Sequence, residues 1–234
     1  MDWTKYYLEY SETDIYRRRA SRAIAIIKEA RSSRKPYLSF SGGKDSQSIL
    51  CLMYLHNIRM PVFHRSDTLD FPDCAIFCKN ECEELGFEYH EEMYDTVAEL
   101  RQSDMMELFT VKTPQAAKKF ARKHHLDCAI IGLRKQESKG RKYHLMKGSY
   151  NDGEFLNVFP IADFKGEDVM ATILLADRKW FHVYDHYDPP HKGRLSWMVN
   201  PRVASHGQVH FLKRYYPEQF NKLCRINPRL RMYV

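Results

Sequence analysis

The stretch "YLSFSGGKDSQSIL", Tyr37 to Leu50, decides the reading of this chain. Tyr37–Phe40 has the character of a short strand. A glycine pair, Lys44, Asp45 and serines follow, and then Ile49, Leu50, Leu52 and Met53 resume as a helix running to about His56. Glycines let the backbone turn sharply and approach a ligand closely. The first N–H groups of a helix have no intrahelical partner, and the helix dipole favours an anion beside them. Serine hydroxyls add donors and Lys44 adds a charge. Strand, glycines, hydroxyls and helix in that order describe a phosphate cradle. The bland alternative is a serine-capped turn whose glycines serve only its sharpness. Neither G-x-x-x-x-G-K-[ST] nor G-x-G-x-x-G is present, so this is neither a Walker loop nor a dinucleotide fingerprint.

On the N-terminal side, Ser11 and Asp14 form an S-x-x-D helix start. Tyr16, Ala20, Ala23, Ile24 and Ile27 recur at helical spacing until Lys35-Pro36 ends the helix. On the C-terminal side, strand candidates lie at Pro61–His64, Phe87–His90, Asp127–Gly132 and within 155–161. Helices are expected over Pro72–Leu85, closed by Gly86, from Thr113 to His125, and over Val169–Leu175. Strands alternating with helices predict an α/β fold: an open, mostly parallel five-stranded sheet with helices on both faces. Ligands of such sheets bind beyond the carboxyl ends of the strands. The expected division is an N-terminal helix over 1–34, a nucleotide-binding domain over 35–178, and a C-terminal extension over 179–234. The extension loses the alternation and carries Pro189-Pro190, Pro201, Pro217 and Pro228.

Composition bounds the function classes. The 234 residues are 44% hydrophobic, enough for a sizeable core. No apolar run approaches the ~20 residues of a membrane helix, and the polar, aromatic start MDWTKYYLEYSETD does not read as a signal peptide. A cytoplasmic chain with six reduced cysteines and no membrane partner is expected. Residues 191–234 hold nine Lys or Arg against the single acid Glu218. That segment therefore accounts for the whole net charge of +7, and its charge suits an anionic partner.

The loop Ser41-Gly42-Gly43-Lys44-Asp45-Ser46 resembles the pyrophosphate-binding loop of the PP-loop ATP pyrophosphatase (adenine nucleotide alpha hydrolase-like) superfamily. Within it the chain resembles the phosphoadenylylsulfate (PAPS) reductase family, which also contains the small subunit of ATP sulfurylase and the sulfur-inserting enzymes of DNA phosphorothioation. Three further stretches carry the resemblance. "HRSDTLDFPDCAIF" (64–77) is similar to a D-T-x-x-x-P segment through Asp67, Thr68 and Pro72. "GLRKQESKGR" (132–141) is similar to G-x-R-x-x-E-S-x-x-R through Gly132, Arg134, Glu137, Ser138 and Arg141. "FPIADFKGEDV" (159–169) is similar to P-I-x-x-W-x-x-x-D-V, with Phe164 in place of tryptophan.

The resemblance implies an adenine nucleotide as substrate, ATP or a sulfonucleotide (PAPS or adenylylsulfate, APS). Its implied binding set is Ser39, Ser41, Gly42, Gly43, Lys44, Asp45, Ser46, Asp67, Thr68, Gly132, Leu133, Arg134, Glu137 and Arg141, with Lys44, Asp45 and Arg134 closest to the chemistry. Asp67 and Thr68 would lie near the nucleoside, and Arg134 and Arg141 would fork onto phosphate or sulfate oxygens. Bare phosphate would repel Asp45, so it is expected to cap backbone N–H groups or to ligate Mg2+ if the substrate is ATP. By the same resemblance, cleavage of ATP between the α- and β-phosphates on an unknown acceptor leads. Sulfonucleotide reduction, and a nucleotide-binding subunit or sensor that needs a partner protein, are the alternatives.

Departures from the family matter as much. A reductase resembles an enzyme with a mobile E-C-G-x-H cysteine, and that motif is absent. Cys224 in "KLCRINPR" is the one substitute nucleophile, beside Lys222 and Arg225. No iron–sulfur cluster is expected. Cys74, Cys78 and Cys82 share a helix face at i, i+4 and i+8, but eight residues of helix rise about 12 Å, so Cys74 and Cys82 cannot share one metal. Burial of the stripe is the expectation. His182, Asp185, His186, Asp188 and His191 crowd one loop, either as a polar loop or as a metal site. The tail mixes its cations with Trp197, Phe211, Tyr215, Tyr216, Phe220 and Tyr233. That pattern fits nucleic-acid stacking, or rings that pack on the core while the arginines face the pocket and contact the substrate's own phosphates.

Overall fold

A computed structural model describes residues 1–100, 113–137, 145, 149–151, 155–193, 195 and 206–233. The chain opens with helices α1 (Trp3–Ser11) and α2 (Asp14–Ser33). Strand β1 (Pro36–Ser39), helix α3 (Lys44–Leu55), β2 (Val62–Asp67), α4 (Cys74–Glu84) and β3 (Tyr89–Tyr94) follow. Then come α5 (Thr96–Leu100), α6 (Thr113–Lys123), β4 (Cys128–Ile131), β5 (Ser149–Asn151), β6 (Leu156–Val158) and α7 (Gly166–Leu175). Short 3₁₀ turns at His182–His186 and Pro190–Lys192 lead to α8 (His206–Tyr215) and α9 (Pro217–Ile226).

The sheet order is β3-β2-β1-β4-β6-β5. The first five of these run parallel, Leu38 pairing with Val62 and with Ile130. The expected open parallel sheet is therefore present, extended by a sixth, antiparallel edge strand: β5 pairs Tyr150 with Asn157 of β6. The chain winds from β1 outward through β2 to β3, then returns to the other side of β1 with β4. The carboxyl ends of β1 and β4 thus flank the point where the winding reverses, the place where open α/β sheets bind ligands.

Side-chain alternation builds a core on each face. Leu38, Val62, Cys128 and Ile130 join the large core with α2, α3, α4 and α7. Tyr37, Phe63 and Ala129 face the other way, against Phe120 and Ala121 of α6. Phe63 stacks on Phe120 with ring centroids 4.2 Å apart.

The N-terminus differs from the reading of its sequence. Residues 3–11 form a helix of their own, started by Asp2, whose carboxylate accepts from the Lys5 N–H at 3.0 Å. Ser11 closes this helix instead of opening the next one. Thr13 caps α2, its hydroxyl accepting from Tyr16 N–H at 3.3 Å. The buried Asp168 joins these helices to the domain. It accepts from Tyr10 Oη at 2.9 Å, from Arg19 Nη1 at 3.0 Å and from Lys165 N–H at the start of α7 at 2.6 Å. The acid of the 159–169 motif therefore organises packing.

Candidate functional site

The loop after β1 is tied to itself by hydroxyls. Ser46 Oγ accepts from Ser41 N–H at 3.2 Å and donates to the Gly43 carbonyl at 2.9 Å, and Ser41 Oγ lies 3.2 Å from Ser46 Oγ. Gly42 holds φ +72°, a left-handed conformation that disfavours a side chain. Gly43 is the N-cap of α3. The α3 N-terminus therefore opens at the carboxyl end of a central strand.

Gly132, just past β4, touches this loop. A Cβ at Gly132 would lie 2.8 Å from Ser46 N and 2.9 Å from Asp45 C. No side chain fits there without parting the two backbones. The contact brings the 132–137 segment onto the loop, and Arg134 follows. Arg134 Nε donates to Asp45 Oδ1 at 2.7 Å and Nη2 approaches Oδ2 at 3.5 Å. Arg134 is only 5% exposed. Its backbone N–H donates to Glu137 Oε2 at 3.2 Å, and Nη1 donates to Gln136 Oε1 at 3.2 Å.

Lys44 is buried beside this pair. Its Nζ donates to the Gly193 carbonyl at 2.7 Å, lies 3.9 Å from Asp45 Oδ2, and sits 4.8 Å from the centroid of the Tyr184 ring. Its backbone N–H donates to Tyr184 Oη at 3.1 Å. Burial pushes the Tyr184 phenol well above its ordinary pKa, and the nearby Asp45 carboxylate adds to the rise, so the hydroxyl stays protonated. The centre of the site is thus two cations sharing one carboxylate, closed by Tyr184 and Gly193.

The expected roles shift accordingly. Asp45 does not fit a Mg2+ ligand in this arrangement, because Arg134 holds its carboxylate and Lys44 flanks it. It organises the cations instead. Asp67 is 7% exposed, and its carboxylate is engaged within the protein: Oδ1 accepts from Leu69 N–H at 3.1 Å, and Oδ2 meets Arg65 at 3.1 Å and the Thr96 hydroxyl. It shapes the turn after β2. Thr68 is exposed and donates to Asp95 Oδ1 at 3.2 Å. Ser39 ends β1 and Leu133 follows Gly132, both partly buried. Ser138 and Arg141 lie outside the described residues.

Cys224 is corrected as a nucleophile. It is 1% exposed within α9 and packs in the large core, where a thiol cannot meet a substrate. Cys74, Cys78 and Cys82 are buried as the stripe reading expected. Burial also raises the pKa of Cys78 well above that of a free thiol. His64 behind them is 1% exposed; its Nδ1 lies 2.8 Å from the Phe40 carbonyl and its Nε2 has no partner.

The crowded loop at 182–191 disperses among separate partners. Asp185 accepts from Trp180 Nε1 at 2.9 Å and Asp188 from Trp3 Nε1 at 2.8 Å. His186 stacks on Tyr215 at 4.1 Å, and His191 Nδ1 meets Tyr7 Oη at 2.9 Å. In the tail, Tyr216 packs edge-on against Phe71 at 4.8 Å, Phe211 stacks on Tyr187 at 4.9 Å, and Phe220 is 7% exposed. Lys213, Arg214, Lys222, Arg225, Arg229 and Arg231 face outward. Trp197 lies outside the described residues. Among those residues, no helix is long and apolar enough to cross a membrane.

The chain is similar to known proteins in both sequence and fold. The sulfate adenylyltransferase subunit 2 of Bradyrhizobium sp. (strain BTAi1) is 27% identical over 186 residues, covering 65% of this chain and 58% of that protein. The chain thus spans less than two thirds of that relative's length. In fold, the PAPS reductase of Candida auris, solved with phosphate, superposes with a TM-score of 0.52 at 9% identity, over 70% of this chain and 83% of that one. The FMN adenylyltransferase of Candida glabrata, solved with ATP, superposes with a TM-score of 0.55 at 18% identity, over 78% and 64%. The family model of the phosphoadenosine phosphosulfate reductase domain matches residues 35–187, from the start of β1 past the Tyr184 that closes the loop, and the chain belongs to that family.

Proposed function

We propose that the chain binds ATP with its phosphates at the α3 N-terminus and directs cleavage between the α- and β-phosphates. The observation that carries this reading is the meeting of the β1 and β4 loops at Gly132, which sets Lys44 and Arg134 around the first turn of α3. N–H groups and two buried cations supply donors where a pyrophosphate leaving group gains charge. An acceptor oxygen would attack the α-phosphorus as the bond to the bridging oxygen breaks. The electron pair leaves with pyrophosphate, and the acceptor's proton goes to solvent. Asp45 keeps the two cations from repelling each other, and phosphate oxygens would replace the Gly193 carbonyl as the acceptor for Lys44. Any Mg2+ would arrive on the nucleotide's phosphates.

ATP is favoured over a sulfonucleotide because Cys224 is buried in α9. The adenylyltransferase names of the relative and of one fold neighbour point the same way. Dependence on a partner protein is a second element, supported by a relative named as a subunit and by outward-facing cations on α8 and α9. The experiment is a titration of ATP, PAPS and adenylylsulfate, followed by pyrophosphate detection with candidate acceptors. ATP binding that weakens in Lys44→Ala and Arg134→Ala is expected. Exclusive binding of a sulfonucleotide, with sulfite release that Cys224→Ser abolishes, would overturn the proposal in favour of the reductase.

A further inference from the structure

We propose that Cys74, Cys78 and His64 bind one thiophilic divalent ion, zinc by ligand type, on the underside of the phosphate loop. Both Sγ atoms and a ring nitrogen of His64 lie within 4.8 Å of one another, and all three residues are buried. A tetrahedral ion with Zn–S bonds of ~2.3 Å holds its sulfurs about 3.8 Å apart, so small side-chain adjustments complete the set. Cys74 and Cys78 stand at i and i+4 on α4 and face the same way.

His64 supplies the independent observation. A carbonyl can only accept, so the Phe40 oxygen 2.8 Å from Nδ1 places the ring proton there. Nε2 then carries a lone pair that is buried and unpartnered. Metal-binding histidines have this arrangement, one ring N–H donated to a backbone carbonyl and the other nitrogen free for the ion. The two thiols would release their protons to solvent, and two thiolates neutralise the ion's charge, so the filled site carries no net charge into the core.

The loop side of the cluster is equally specific. A Cβ at Gly42 would lie 2.7 Å from Cys74 Sγ and 2.9 Å from Cys78 Sγ. Cys74 Sγ also lies 3.8 Å from the Ser41 carbonyl. An ion here would join β2 and α4 directly beneath Ser41 and Gly42, and three protein ligands leave it one further position. Cys82, one turn beyond Cys78, stays outside the set.

The test is titration of the full, reduced, EDTA-stripped chain with Co2+ alone. Expected are thiolate-to-cobalt charge-transfer absorption and the intense visible bands of a tetrahedral ion, saturating at one equivalent and displaced by Zn2+. Cys74→Ser, Cys78→Ser and His64→Gln should each lose the one-equivalent signal, and Cys82→Ser should keep it. Zn2+ should also raise the melting temperature of the wild type and of Cys82→Ser. Absence of the charge-transfer band in the wild type would overturn the proposal. So would its persistence in the Cys74→Ser/Cys78→Ser double variant.

Discussion

Replacing Gly132 by alanine tests how the two loops form one site. The added methyl would meet Ser46 N at 2.8 Å, Asp45 C at 2.9 Å and Ser46 Cα at 3.0 Å, all backbone atoms. Ordinary contacts begin near 3.4 Å, so the two segments must part by about 0.6 Å. Overpacking of this kind costs about 1–3 kcal/mol. If the strain falls on the loop that receives the phosphates, ATP affinity falls by roughly 5- to 150-fold, the equivalent of that energy. The melting temperature should fall by about 2–4 °C per kcal/mol for a chain of this size. Gly86→Ala is the matched control. Nothing lies within 4 Å of a Cβ there, but φ is +73°, so it should lower the melting temperature and leave ATP affinity unchanged. Calorimetric titration with ATP reads the first effect and thermal unfolding the second. A Gly132→Ala protein with wild-type affinity would refute the claim that the β4 loop positions the phosphate loop.

Three further outcomes follow from named contacts. Arg134→Ala leaves the Asp45 carboxylate in a largely buried site without its main partner, a loss of about 3 kcal/mol in chemical denaturation; the Asp45→Asn/Arg134→Gln double variant should recover part of it. Arg178 donates to the buried Glu81 at 2.6 and 3.0 Å, so Arg178→Ala should cost a similar ~3 kcal/mol while ATP affinity stays at the wild-type level. Burial holds the His191 imidazole below its ordinary pKa of 6.5. Its contribution to stability is therefore complete above that value and is lost as pH falls through the lower, folded value. A series of melts from neutral to mildly acid pH should show this loss, and His191→Gln should flatten it.

Much of the fold was legible because strands and helices announce themselves by period. Leu38, Val62, Cys128 and Ile130 alternate with Tyr37, Phe63 and Ala129, and a two-faced sheet follows. Strand β5 was not legible, since Ser149–Asn151 is too short to show alternation. Helix α1 was hidden by its aromatic and charged composition; only Asp2, three residues before Lys5, marks its cap.

At the site, Gly42 and Gly43 could be read as turn and close-approach positions from their residue type, whereas the packing of Gly132 on the backbone of Asp45 and Ser46 could not. The partners of Lys44 could not: Tyr184 and Gly193 lie 140 and 149 residues away in sequence. The Asp45–Arg134 pair spans 89 residues. A signal for it did exist, since an acid inside an anion-binding loop needs a cation to hold it. Asp67 illustrates the converse, a motif residue whose carboxylate serves the turn that follows β2.

On the reading proposed above, the β1 loop receives the phosphates of an adenine nucleotide. Calorimetric titration of the wild type and Lys44→Ala with ATP, with pyrophosphate as competitor, decides whether it does. Loss of a charge-assisted hydrogen bond is worth about 1.5–3 kcal/mol. The prediction is therefore one-to-one binding to the wild type, competition by pyrophosphate, and affinity roughly 10- to 150-fold weaker in the variant. Binding that ignores both pyrophosphate and the loss of Lys44, or no binding of ATP at all, would contradict it.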